Sequence, residues 1–358
     1  MRNEYFNKNL ELFLHIVTEV GDSYGVAFFI ALGVTVFSRE KAFVFLLGQA
    51  ASSGLVCQLK SVYNEARPFF VVDNLHPKKC SLEHGDPSAH TMVFVTMHST
   101  LVFLLSKQYE IHGSKKKLMW IVYKIFCGVL GFSRIYAGVH SYNQVLSGMI
   151  WGYSLHYLIC HIYYDDIIAF IQNTRKRTLF ENFWNPYIKL FLIFEVIAVI
   201  LYFYGITYRP TPQSWLDNMW KNCPTAKKNI DPELNNLESY HNGFSLIGAL
   251  MGLAVEQNFL KSVRDLNEKH FNTSFFKMSI RVVISVIGMV ICIFTDLMTP
   301  KDSSFFKIVI FKKMIPTFMA TGYLFSYNKV IHYKLGLLNT NKEVEVIENM
   351  QQETKKHQ

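Results

Sequence analysis

The chain has 358 residues; half are hydrophobic, 18% are charged, and Phe and Tyr alone number 30 and 19. So apolar a composition excludes an ordinary soluble domain and points to an all-α, polytopic bundle in a membrane. The net charge of +9 does not mark a nucleic-acid binder, because the basic residues lie between apolar segments, where they set orientation.

A helical span takes roughly 20 mostly apolar residues. About nine windows of that kind occur in chain order, near 22–38, 42–59, 90–106, 118–137, 142–164, 188–206, 242–260, 279–297 and 307–328. Lys312, Lys313 and Pro316 interrupt the last one. Ahead of the first window stand Glu4, Glu11 and Glu19, with no apolar run leading to a cleavage site, so no cleaved signal peptide is expected. Cys57, Cys127, Cys160 and Cys292 fall inside windows and read as packing residues, while Cys80 and Cys223 fall in polar loops. No grouping of Cys and His suggests a metal. With no repeat and no soluble segment, residues 1–358 are expected to form one membrane-embedded domain, with its chemistry in 60–148 and a tail over 330–358.

Alternate loops differ in charge. Those after the first, third, fifth and seventh windows carry more Lys and Arg, as at Lys115, Lys116 and Lys117 and at Arg175, Lys176 and Arg177. The positive-inside bias makes that side cytosolic, with the C-terminus on it and the N-terminus luminal. Lys355 and Lys356, close to the end of the sequence, resemble a dilysine address for the endoplasmic reticulum membrane, which a cytosolic receptor reads.

Three segments then share the luminal side: Lys60 and Arg67 in KSVYNEARPF, Ser88, Ala89 and His90 in HGDPSAHTM, and Arg134 and His140 in SRIYAGVHSYNQ. Ionisable groups clustered at membrane depth are costly unless function needs them. Cations and two imidazoles around one point suit an anion with three terminal oxygens, the geometry of phosphoryl transfer from a monoester. Arg67 and Arg134 can grip oxygens through paired donors, and Lys60 acts as a point charge. Asp86-Pro87-Ser88 reads as a helix start with Pro87 near the first turn, so that amides there and the Ser88 hydroxyl bind a further oxygen. His140 is the candidate nucleophile, because Gln144 stands one helical turn on and can accept from Nδ1, leaving Nε2 to attack. His90 is the candidate acid for the leaving oxygen and later the base for water. The cations are expected to replace a metal ion.

These motifs resemble the signature of the type 2 phosphatidic acid phosphatase superfamily, which uses the last His as its nucleophile. The usual middle motif is Pro-Ser-Gly-His, and Ala89 stands here in place of the glycine; the usual third motif has Asp where this chain has Gln144. With Gln there, the segment is similar to the glucose-6-phosphatase catalytic subunit branch, as are Cys80, Gly85 and His90, the loop with Trp215, Trp220 and Cys223, FSLIGALMGLA at 244–254 and DLMTP at 296–300. The resemblance implies hydrolysis of glucose 6-phosphate in the lumen, fed by a separate glucose-6-phosphate transporter, with no cofactor. It aligns Asp22 with an acidic residue that either accepts from sugar hydroxyls or caps a helix. A Cys80–Cys223 disulfide between the two large loops follows as a hypothesis in an oxidising lumen. Asn272 heads a glycosylation sequon but falls on the cytosolic side, so no glycan is expected there. Two other readings stand beside this one: a lipid-phosphate phosphatase with the same chemistry and a leaving group in the bilayer, and a non-catalytic membrane scaffold on the same fold.

Overall fold

A backbone in lipid must satisfy its hydrogen bonds within its own segment, which favours helices. In the computed structural model every regular element among the described residues is helical. The structure describes residues 4–224, 232, 242–264, 266, 268–292, 294, 298, 307–341 and 343–345. In chain order the principal helices are α1 (Glu4–Val20), α2 (Ser23–Val36), α3 (Arg39–Tyr63), the single turn α4 (Pro68–Val71), α5 (Ala89–Gln108), α6 (Gly113–Tyr136), α7 (Tyr142–Tyr157), α8 (Tyr164–Arg175), α9 (Leu179–Phe183), α10 (Pro186–Tyr208), α11 (Gln213–Asn222), α12 (Asn242–Phe259), α13 (Phe275–Cys292), α14 (Ile315–Leu324) and α15 (Tyr327–Lys334).

Among the described residues five stretches are long and apolar enough to cross a membrane: Arg39–Val71, Ala89–Gln108, Gly113–Tyr136, Leu179–Tyr208 and Phe275–Cys292. The pair Lys8–Val20 and Gly25–Val36, bent by 52°, makes a sixth if it is one span. The chain therefore has the helices of a multi-pass membrane protein, but nine spans are not reached among the described residues. The window 142–164 divides into α7 and a π-helical turn, Leu158–Ile162, and 307–328 divides into a π-helical stretch, Ile308–Met314, followed by α14. The polar run Glu256-Gln257-Asn258 dilutes 242–260. Lys355, Lys356, most of the 296–300 loop and the tail beyond residue 345 lie outside the described residues.

Within the expected domain over 1–358 the chain forms two compact units: residues 1–26, 47–164 and 189–243, and residues 27–46, 165–188 and 244–358. In the first unit α7 packs closely on α5. A Cβ at Gly148 would lie 2.8 Å from the Ser88 carbonyl oxygen, and one at Gly152 would lie 2.8 Å from that of Met92. Only glycine at these two places, spaced by one turn, lets the helices approach so far. Helix α5 itself starts at Ala89 with Ser88 as its N-cap. Pro87 thus lies just ahead of the cap, next to the first turn.

The loop from Val72 to Ser88 is clamped from the other side. Asn222 donates to the carbonyls of Phe69 (2.9 Å) and Val72 (3.0 Å), satisfying the end of α4. Phe69, Phe70, Val139, Met219 and Cys223 form a buried apolar cluster with Trp215 and Trp220 against it. Cys80 and Cys223 are joined as a disulfide, their Cα atoms 5.9 Å apart. In the second unit the buried Glu256 pairs with Arg39 and, at 2.9 Å, with Lys329. Arg39 also donates to the carbonyls of Val263 and Leu266, so this buried charge is paired and hydrogen-bonded as burial demands.

The disulfide closes a loop of 143 residues, which removes much freedom from the unfolded chain. Cys223→Ser is expected to lower unfolding stability by roughly 2–5 kcal/mol in detergent denaturation, and thiol titration of the denatured parent protein should rise by two on reduction. Unchanged stability together with six titratable thiols before reduction would rule the bond out.

Candidate active site

The loop between α6 and α7 delivers His140. Gly138 takes a positive φ of 72° there, a conformation that glycine adopts without strain. Ser141 then caps α7, and Gln144 completes a capping box. Gln144 Oε1 accepts from the Ser141 amide (3.2 Å) and stands 3.1 Å from His140 Nδ1. Its Nε2 donates to the Ala66 carbonyl (2.8 Å) and to Glu65 Oε2 (3.4 Å). With both donors spent on oxygen, Oε1 faces His140, so Nδ1 carries the proton and Nε2 the lone pair. The sequence suggested two residues one helical turn apart. His140 is in fact outside α7, and the capping box brings the amide to it. Gly85 makes room: a Cβ there would lie 2.4 Å from Gln144 Nε2.

Arg67 precedes α4 and is wholly buried. Its Nη1 lies 3.0 Å from His140 Nε2 and donates to the Val139 carbonyl at 2.7 Å. Guanidinium nitrogens only donate, which again makes Nε2 the acceptor. The remaining donors go to one residue absent from the sequence reading, Glu83: Nε to its carbonyl (2.6 Å) and Nη2 to Oε1 (2.6 Å). Lys60, in the last turn of α3, donates to the same Oε1 at 3.1 Å. Burial opposes ionisation of Glu83, yet the charges of Arg67 and then Lys60 hold its carboxyl well below the usual carboxylate range.

Arg134 differs. It ends α6, where a cation suits the helix dipole, and it is 1% exposed. Nε, Nη1 and Nη2 have no hydrogen-bond partner among the described residues. An unpaired guanidinium so deeply buried costs several kcal/mol unless an anion joins it. The adjacent Ser133 hydroxyl is bonded to Thr18 Oγ1 at 3.0 Å, which ties α6 to α1. Burial, and after it the charges of Arg67, Arg134 and Lys60, push the His140 imidazole well below the usual histidine range, so it is neutral near pH 7. His84, beside Glu83 in the loop, is likewise lowered to about 3 by burial and then by Lys60 and Arg67.

His90, the second residue of α5, has a buried Nε2 with no hydrogen-bond partner among the described residues, 4.0 Å from Asp22 Oδ2. Asp22 just precedes α2, and its carbonyl accepts from the Val26 amide at 2.9 Å. Its carboxylate pairs with Lys79, which also reaches Glu19 at 3.4 Å. Ser88 and Ala89 sit at the start of α5 as expected, but Ser88 does not offer an idle amide. Its N–H donates to the Gln144 carbonyl (3.0 Å), and its hydroxyl accepts from Thr91 (3.0 Å). The amides ahead of Met92, whose N–H is the first to reach the Ser88 carbonyl, remain as donors at the helix start. Glu65 and Glu83 are the site residues missed from sequence. The signal open to a reader was chemical: Glu83 is an acid inside a segment otherwise rich in cations.

The arrangement sets a neutral imidazole with an available lone pair among buried cations, one of them unpaired, with a second imidazole nearby. Among the described residues no group of His, Cys, Asp and Glu could hold a metal ion.

Residues 41–168 match the model of the PAP2 superfamily. A stretch of 92 residues is 27% identical to phosphatidylglycerophosphatase B of Bacillus subtilis strain 168 and covers 25% of this chain; the chain spans 45% of that protein's length. No solved structure matches. Every clustered side chain described above except Asp22, Glu19 and Thr18 falls inside 41–168, the segment that is similar to the PAP2 superfamily.

Proposed function

We propose that the chain is a phosphoric monoester hydrolase acting on glucose 6-phosphate through a phosphohistidine, with its site on the luminal side of the endoplasmic reticulum membrane and its substrate delivered by a separate transporter. One observation carries the phosphatase part: the unpaired, buried Arg134 guanidinium in the same basic cluster as a neutral His140.

In the proposed reaction the phosphoryl oxygens take the Arg134 donors, and one of them replaces His140 Nε2 as the partner of Arg67 Nη1. The freed Nε2 lone pair attacks phosphorus as the ester P–O bond breaks. His90, entering protonated, gives its proton to the departing oxygen. Neutral His90 then takes a proton from water, whose oxygen attacks phosphorus, and the N–P bond breaks to release phosphate and restore His140. Gln144 keeps the Nδ1 proton in place throughout, so the imidazole attacks from one tautomer. The fixed cations stabilise charge as it spreads over the equatorial oxygens.

The leaving group departs past His90. Beside His90 stands Asp22, paired with the part-exposed Lys79, which in turn reaches Glu19. Charged, hydrogen-bonding groups there suit a hydroxylated leaving group better than an acyl chain. This, with Gln144 in the third motif, supports the sugar phosphate. The second reading is a lipid phosphate, and it is favoured by the likeness to a phosphatidylglycerophosphatase.

His140→Ala is expected to lower kcat by at least about 10⁴-fold and to abolish trapping of labelled phosphate on denatured protein. His90→Ala should still trap label, but slowly. Equal labelling of the His140→Ala protein would reject the nucleophile. Substrate is decided by kcat/KM of the purified full chain on glucose 6-phosphate against sphingosine 1-phosphate and phosphatidylglycerophosphate. A preference of about 100-fold or more for the sugar, the discrimination expected of a site built to hydrogen-bond hydroxyls, is the predicted result. The reverse order would favour the lipid reading.

A further inference from the structure

Glu83 occupies an unexpected place. Two of the cations assigned to substrate, Lys60 and Arg67, already share its Oε1, at 3.1 and 2.6 Å. A carboxylate bridging a buried lysine and arginine presents them with what a phosphoryl oxygen would present: a charged acceptor within hydrogen-bond distance of both. Arg134, by contrast, has no such acceptor among the described residues. The cluster is thus neutralised in part from within.

The attachment of Glu83 divides into two. Its backbone carbonyl accepts from Arg67 Nε at 2.6 Å, while its side chain makes the bonds to Nη2 and Lys60. The side chain can therefore swing away while the loop stays tied to Arg67. It has somewhere to go, being 18% exposed where its two partners are 0% and 3% exposed.

We propose that Glu83 is an internal competitor for the phosphate subsite, a specificity-determining carboxylate that an incoming phosphoryl group must displace from Lys60 and Arg67. The idea rests on the phosphatase reading above. A monoanion that displaces Glu83 exchanges one charge for an equal one and gains little. A phosphate monoester dianion brings an extra charge into the field of three buried cations and gains much more. Glu83 sets a threshold that dianions pass, while it keeps Lys60 and Arg67 paired between turnovers. Lys60 and Arg67 are then released as donors only in the presence of the ligand they are to bind.

The experiment measures inhibition and thermal stabilisation of the full chain in detergent by inorganic phosphate. Glu83→Gln removes the competing charge and keeps the shape. Its inhibition constant for phosphate is expected to fall about tenfold, in keeping with loss of one charge-assisted bond, and its Tm should rise more on adding phosphate than the parent's. Methyl sulfate, a monoanion, should inhibit Glu83→Gln at concentrations that leave the parent untouched. Should Glu83→Gln fail to accumulate, Glu83→Asp carries the test, because its shorter reach loosens the bridge; a lower inhibition constant supports the proposal and an equal or higher one overturns it. If phosphate binds the parent but binds Glu83→Gln equally or more weakly, Glu83 is a positioning residue and no competitor. Failure of phosphate to bind the parent at all would count against the phosphatase reading itself.

Discussion

Burying cations without enough anions to match them is the constraint on which the rest of this structure depends. Arg67, Arg134 and Lys60 are all withdrawn from solvent, and the carboxylate bonded to two of them is that of Glu83. An apolar chain tolerates such a group only if its surroundings hold it rigidly and if a ligand completes it. The neighbouring features follow from that requirement. Arg67 is fixed through four acceptors: the Val139 carbonyl, His140 Nε2, and the carbonyl and carboxylate of Glu83. Burial, and after it the same charges, keep the His140 imidazole neutral, which is the state a nucleophile needs.

Precision at this site comes from backbone devices more than from side-chain packing. A positive-φ glycine turns the chain into α7, a capping box aims the Gln144 amide at His140, and Gly85 lets the neighbouring loop lie against that amide. On the far side the Cys80–Cys223 bond and the Asn222 hydrogen bonds to α4 hold the loop that carries Glu83. Paired glycines at 148 and 152 bring α7 onto α5, so that Ser88 N–H reaches the Gln144 carbonyl. The two histidine-bearing segments are thereby registered against each other by backbone contact. A change in any of these hinge points would move the imidazoles relative to the cations without touching a charged residue.

How much of this was legible in the sequence depended on whether a residue's chemistry or its setting was at stake. Lys60, Arg67, His90, Arg134 and His140 stood out because cations and imidazoles are rare beside apolar runs. The His140–Gln144 contact was also legible, but its cause was not: a spacing of four suggested a helix, whereas the structure uses the N-terminal cap. Free amides at the start of α5 were legible, but not that the amide of Ser88 itself donates to the Gln144 carbonyl or that its hydroxyl oxygen accepts from Thr91. Glu83 carried only its chemistry as a signal, because a loop acid has no periodicity and its partners lie sixteen and twenty-three residues away. Nine spans are not confirmed among the described residues, where hydropathy does not register that a helix turns π-helical, as at Leu158 and Ile308, or that a polar run such as 256–258 thins an apolar window.

The central claim is that a phosphoryl group sits between His140 Nε2 and the unpaired donors of Arg134. The most direct measurement is an experimental structure of the full chain with orthovanadate, which adopts the five-coordinate geometry of phosphoryl transfer. The account predicts vanadium bonded to His140 Nε2, equatorial oxygens within about 3 Å of the Arg134 nitrogens, and His90 Nε2 opposite, facing the apical oxygen. Vanadate bound elsewhere, or bound with Arg134 out of reach and His140 still held by Arg67, would contradict it.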